Sequence, residues 1–205
     1  YGGVTIVQDE KTNTKNTQYN DLAFTLDQVR RIEKELVSYG KTKPFIAEVL
    51  QWILYTGMRK SDACKLKWEN IHNFNDRKKA YIIHKREDQK GRASKKTQDQ
   101  KFPITFLMRR VIRRLIVQRK KYPKYQWIPF LFPSGQINWD KVNDPINYPD
   151  HKYTDECRVS ERTLNDHFNK VRDKLGIQGS IRTLRKTVDT WGIDKIGEQK
   201  MMTVM

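Results

Sequence analysis

The run Tyr55-Thr56-Gly57-Met58-Arg59-Lys60-Ser61-Asp62 sets the frame for the rest of this chain. Ahead of it, Pro44 opens a segment in which Phe45, Ile46, Val49, Leu50, Ile53 and Leu54 are apolar on so many sides that the helix they form belongs deep in a core. That helix stops at Thr56-Gly57, where a glycine turn follows. Arg59 is thereby delivered to the start of a short helix around Ser61 to Leu66.

Toward the N-terminus, residues 1–20 are polar, rich in Thr and Asn and aperiodic, so they read as an arm ahead of a folded domain at 21–205. Thr25 followed by Gln28 is a capping-box pattern, and Leu26, Val29, Ile32 and Leu36 continue as a helical stripe ending near Gly40. Toward the C-terminus the period becomes extended, with strands expected at Trp68 to Ile71, Ala80 to His84 and Lys101 to Ile104. A helix follows in which Met108, Val111, Ile112 and Leu115 hold one face while Arg109, Arg110, Arg113 and Arg114 crowd the other. One side packs, and the other is free to meet phosphates. Residues 121–160, rich in Pro, Asn and aromatics, predict a long ordered loop whose rings pack as satellites of the core. Ser160 and Glu161 open a helix through Leu164, Phe168, Val171 and Leu175 that Gly176 ends, and a last helix begins near Thr183. The sum is a mainly α-helical α+β fold.

Charge narrows the partner. The 205 residues carry 41 Lys and Arg against 24 Asp and Glu, a formal net charge of +17. Between Arg77 and Lys121 there are 17 basic residues and three acidic ones, so this span alone carries +14. Such a density points to a polyanion, and Lys101 and the four arginines of the amphipathic helix are candidate phosphate contacts on duplex DNA. No window approaches the ~18 consecutive apolar residues of a membrane span, and no apolar signal-peptide stretch opens the chain. No membrane association and a cytoplasmic location on DNA are therefore expected. Cys64 and Cys157 stand alone, and His72, His84, His151 and His167 are scattered, so neither a disulfide framework nor a metal site is expected.

A second segment, Ile181-Arg182-Thr183-Leu184-Arg185-Lys186-Thr187, puts two arginines three residues apart on one helical face. With the Lys-rich Ser94-Lys95-Lys96-Thr97 between the two segments, several cations could gather on one phosphate, where planar guanidinium forks suit charge that grows in a transition state.

In this order the segments resemble the tyrosine recombinase, or phage integrase, family. Its T-G-x-R-x-S-[ED] box is matched at Thr56 to Asp62, its hairpin lysine in a K-T-G-like turn at Lys96-Thr97, and its H-x-L-R-H-T box at Arg182 to Thr187. The likeness runs over about residues 22–205, through the opening Leu26 to Arg30 and the run Lys67-Trp68-Glu69-Asn70-Ile71. It implies a catalytic fold with a small antiparallel three-stranded sheet carrying the lysine hairpin. It also implies a site-specific recombinase of a phage or other mobile element, which cuts and rejoins strands through a 3′-phosphotyrosyl link without ATP or metal. The protomer is expected to be a monomer when free and a tetramer on paired DNA sites.

Carried over residue by residue, Arg59 and Arg185 resemble the two arginines that clamp the scissile phosphate. Lys96, with Lys95 as the neighbouring alternative, resembles the general acid toward the 5′ leaving oxygen, and Asp62 the acidic residue that orients the arginines. Arg182 stands where the family carries histidine, and Lys186 where it carries a second; an arginine binds phosphate but is no proton acceptor at neutral pH. The family's L-G-H segment and nucleophilic tyrosine follow its second arginine. Here none of the nine tyrosines follows Arg185, the chain ends at Met205 after a run, Gln199 to Met205, that resembles the lead-in to L-G-H, and Tyr148 and Tyr153 are not taken as nucleophiles. No covalent chemistry is expected of these residues alone. The rival expectations are a non-catalytic DNA-binding protein on the same scaffold and a topoisomerase sharing the same chemistry.

Overall fold

A computed structural model describes residues 23–85, 99–137, 139 and 155–196. The proposed arm at 1–20, the lysine pair Lys95 and Lys96, Tyr148, Tyr153 and the C-terminal run lie outside the described residues.

Helix α1, Leu26–Tyr39, starts as its caps require: the Thr25 hydroxyl accepts from the Gln28 amide and the Gln28 side chain accepts from the Thr25 amide. Helix α2, Pro44–Thr56, is the axis of the molecule, with every residue from Phe45 to Leu54 buried. The mainly apolar run explains this, and α1, α4 (Phe106–Lys121) and α6 (Ile181–Ile196) all lie against it. Helix α3, Lys60–Lys65, follows the Gly57 turn, and α5, Glu161–Leu175, packs on α1, α2 and α3. Both expected glycine stops hold: Gly57 at φ 64° and Gly176 at φ 62° are left-handed.

The sheet is three-stranded and antiparallel, β1 (Ile71–His72), β2 (Tyr81–Lys85) and β3 (Asp99–Pro103) in that order, with Ile82 opposite Ile71 and Phe102. Expectation and structure part at Trp68 to Asn70, which form a single 3-10 turn in place of a strand. The Lys67 amide donates to the Asn70 side chain and the Trp68 amide to the Pro129 carbonyl, beside an isolated antiparallel bridge of Lys67 with Phe130.

Residues 138 and 140–154 of the expected loop lie outside the described residues, and in the part that is described several aromatics pack on the core. The segment after α4 makes a 3-10 turn at Pro123–Trp127 and then runs back along the core, where Leu131 donates to the Leu66 carbonyl and Val159 to that of Phe132. Phe132 is fully buried edge-on to Trp52 at 5.9 Å, and Tyr125 meets Phe45 at 4.8 Å. Among the described residues no helix is long and apolar enough to cross a membrane.

The arginine-rich helix corrects one expectation. Arg110 and Arg113 are exposed, but Arg109 is buried, donating to the backbone carbonyls of Phe74 and Asp76 and lying over the Phe74 ring. Arg114 is turned toward α2, where it donates to both oxygens of the buried Glu48 at 2.6 and 2.7 Å and to Gln51. Arg109 is therefore an internal fastener and the half-exposed Arg114 is held against α2, because loop carbonyls and a buried carboxylate would otherwise be left without donors. Lys101 is exposed, its ammonium 3.7 Å from the centre of the Tyr81 ring.

Candidate active site

A cleft of about 770 Å³ opens where α3, α5 and α6 begin. Gly57 creates its first wall. A β-carbon there would stand 3.3 Å from the Cβ and Cγ1 of Val188, so glycine serves both the left-handed turn and the close approach of α2 to α6. Thr56 fixes the turn from within: its hydroxyl donates to the Trp52 carbonyl at 2.7 Å and accepts from the Met58 amide at 3.1 Å. Arg59 then sits at the N-cap of α3 with extended backbone, at the edge of the cleft.

The opposite wall is the first two turns of α6. Ile181, Thr183, Leu184 and Thr187 are buried and anchor the helix. The Ser180 amide donates to the Thr183 hydroxyl, and the Thr187 hydroxyl donates to the Thr183 carbonyl while accepting from the Phe24 amide. The Phe24 ring also lies where a β-carbon on Gly179 would come within 2.7 Å of it, so the chain's first described residues brace the start of α6. Arg182 and Arg185 project from this braced turn, the first exposed and the second half-buried.

The cleft is lined by Arg59, Lys60, Arg182, Arg185 and Lys186 together with the carboxylates of Glu161 and Asp189. Five cations against two anions give the cleft a net positive charge, and its two walls meet only through the fold: Arg59 is separated from Arg185 by most of the chain. The structure thus brings Arg59, Arg182 and Arg185 to one place. Asp62 stands behind them, one turn into α3. Its Oδ2 is 3.4 Å from Nε2 of the buried His84 on β2, close but not aligned as a hydrogen bond. Burial by itself raises the Asp62 carboxyl; the His84 ring, the Arg59 charge and the Ser61 hydroxyl outweigh that and hold it below the ordinary carboxylate value.

Sequence reasoning missed His84, taken as an ordinary strand residue, and missed Lys60, Glu161, Asn165 and Asp189. Asp189 had a local signal, its i,i+4 spacing from Arg185. Glu161 and His84 had none, since each reaches the site from a separate element.

The profile of the Phage integrase family matches residues 23–196. A sequence search of curated proteins returns no match. Among solved structures, the chain is similar to the XerH site-specific recombinase bound to its difH substrate, with a TM-score of 0.61 and 14% identity over 89% of this chain and 46% of that one. It is similar to a lambda integrase dimer bound to a COC′ core site, at 0.58 and 14% over 91% and 57%. It is also similar to the lambda integrase catalytic core, at 0.58 and 13% over 89% of each chain. The likeness is one of fold, and the chain spans about half the length of the XerH chain. A helical domain with a small antiparallel sheet, a cationic cleft built from its two arginine segments, and a family match over nearly all its described residues lead to one assignment: the chain belongs to the phage integrase family of tyrosine recombinases.

Proposed function

We propose that this chain is the phosphate-binding part of a site-specific recombinase, in which Arg59, Arg182 and Arg185 clamp the scissile phosphate of duplex DNA. The observation that carries the reading is the meeting of these three arginines in one cleft from segments far apart in sequence. A tyrosine hydroxyl gives its proton to water and attacks phosphorus, the phosphorus–5′-oxygen bond breaks, and a 3′-phosphotyrosyl ester keeps the energy of the broken bond for rejoining. The departing 5′ oxygen takes a proton from a lysine, Lys96 or its neighbour Lys95. The arginine forks neutralise charge on the non-bridging oxygens as it builds. Asp62, held between His84 and Arg59, orients the clamp. By family resemblance the attacking tyrosine belongs after Arg185, where this chain has none. The structural neighbours include a lambda integrase tetramer bound to a Holliday junction, and the same assembly on paired sites is proposed here, inside the cell on DNA.

A second reading, a DNA-binding protein without chemistry, is favoured by Arg182, which cannot accept the tyrosine's proton where the family has histidine. One experiment separates the two. In the full protein carrying this chain, incubation with cognate DNA should yield a denaturation-resistant adduct. Arg59→Ala and Arg185→Ala should each lower its formation at least ~100-fold, the scale of losing a transition-state charge contact, with non-covalent binding largely kept. No adduct from the unmodified full protein would leave the binding-only reading standing.

A further inference from the structure

The cleft that gathers the arginines also holds two carboxylates, and both already face its cations. Asp189 Oδ2 lies 3.8 Å from Arg185 Nε, one turn further along α6. Glu161, the first residue of α5, brings Oε2 to 3.6 Å from Nζ of Lys60, the neighbour of Arg59. Asp189 also reaches the other wall: its Oδ1 is 3.6 Å from the point a β-carbon on Gly57 would occupy. One carboxylate therefore pairs with Arg185 on α6 and lies beside the Gly57 turn that delivers Arg59. The remaining polar lining, Ser61, Asn165 and Ser180, is uncharged, so among the described residues these two are the cleft's anions. Both pairs are long and half-exposed, with side-chain exposures of 36% and 45% for Arg185 and Asp189 and of 37% and 42% for Lys60 and Glu161.

We infer that Asp189 and Glu161 are resident counter-charges of the phosphate site, holding Arg185 and Lys60 in place while the cleft is empty and yielding them when a DNA phosphate enters. The inference rests on the reading of this cleft as the phosphate site. Five cations facing one another across an empty cleft repel, and two carboxylates set among them limit how far the side chains splay. A loose, wet ion pair is also an easily exchanged one: Arg185 leaves a long contact for a charge-assisted fork on two phosphate oxygens, and the half-exposed carboxylate returns to water. The same carboxylates repel any arriving anion. A lone phosphate is therefore held weakly, whereas a phosphate within DNA, whose neighbours are anchored by other basic residues, overcomes the repulsion. Asp189 and Glu161 are on this account specificity-determining residues that favour polymeric over free phosphate.

Inorganic phosphate titrated into the chain, followed by the Nε–Hε NMR signals of Arg59 and Arg185, tests this. Asp189→Asn and Glu161→Gln should each tighten phosphate roughly two- to fivefold, the scale of a half-exposed ion pair. Asp173→Asn, which removes a carboxylate paired with Arg172 outside the cleft, should change nothing. A carboxylate that served only to hold the structure would weaken binding when lost. Unchanged or weaker phosphate affinity in folded Asp189→Asn and Glu161→Gln overturns the inference. Should Asp189→Asn fail to fold, Glu161→Gln and the unmodified chain still decide it, because the carboxyl carbons of Asp189 and Glu161 must shift as phosphate saturates the cleft, and static signals overturn the inference. If phosphate moves neither arginine signal in the unmodified chain, the phosphate-site reading itself is wrong, an outcome distinct from failure of the counter-charge role.

Discussion

At Asp62 a short polar side chain links helix α3 to the sheet. It belongs to the helix that Arg59 caps, it feels the Arg59 charge, and it reaches His84 on the sheet, with its own side chain 22% exposed. Its carboxyl is held below the ordinary value although burial opposes this. A carboxyl whose folded value is depressed adds stability above its unfolded value, and that stability is lost as pH falls through the folded value. Asp62→Asn should therefore lose less stability than the unmodified chain between pH 5 and pH 3, read as urea midpoints across a window that spans the usual aspartate value of about 4. Equal acid sensitivity in both proteins would mean that the His84 and Arg59 contacts do not hold the carboxylate. Asp62 was legible as an acidic residue beside the first arginine, but its partner was not, because nothing local to strand β2 announces which helix it will meet.

At the level of elements, the joint between α2 and α4 is the least expected feature. An almost wholly apolar helix carries Glu48 and Gln51, both buried, and the facing helix supplies Arg114 to satisfy them. Burial pushes the Glu48 carboxyl up against the pull of Arg114, while the Glu48 hydrogen bonds hold the guanidinium firmly charged. The two partners are unequally placed, Glu48 with its side chain 8% exposed and Arg114 37%. Removing Arg114 strands a buried charge, whereas removing Glu48 lets the arginine turn to water. Arg114→Met should accordingly cost about 3 kcal/mol and Glu48→Leu distinctly less, with the double variant recovering most of the loss. Thermal unfolding of the three variants checks the order, and equal single losses would refute the asymmetry.

Over the whole molecule, charge and packing divide the basic residues into two populations. Arg109 is buried against loop carbonyls and Arg114 is paired with Glu48, while Arg110, Arg113 and Lys101 remain exposed beside the cleft's five cations. With a net charge of +17, binding to duplex DNA should weaken steeply with salt, by a slope of about −0.9 in log affinity per phosphate neutralised. Arg110→Ala and Arg113→Ala should each reduce that slope by about 1, measured by fluorescence anisotropy across a salt series. A flat salt dependence, or slopes untouched by both substitutions, would remove the outer face of α4 from the DNA contact.

What local chemistry dictates was available from the amino-acid sequence: the capping box at Thr25 and Gln28, the glycine stops at 57 and 176, the helical stripes, and the two arginine segments, because each depends on dihedral preference or spacing within a few residues. The turn at Trp68 to Asn70 escaped it, since three residues are too few to separate an extended run from a single helical turn. Packing alone settled the rest. An amphipathic pattern tells which face of α4 is apolar but cannot tell that Glu48 waits on the neighbouring helix, nor that loop carbonyls will claim Arg109. The arrival of Glu161, Asp189 and Lys60 in one cleft with Arg59 and Arg185 likewise follows from how closely α2 approaches α6 at Gly57, a distance set by side-chain volumes from elements far apart along the chain.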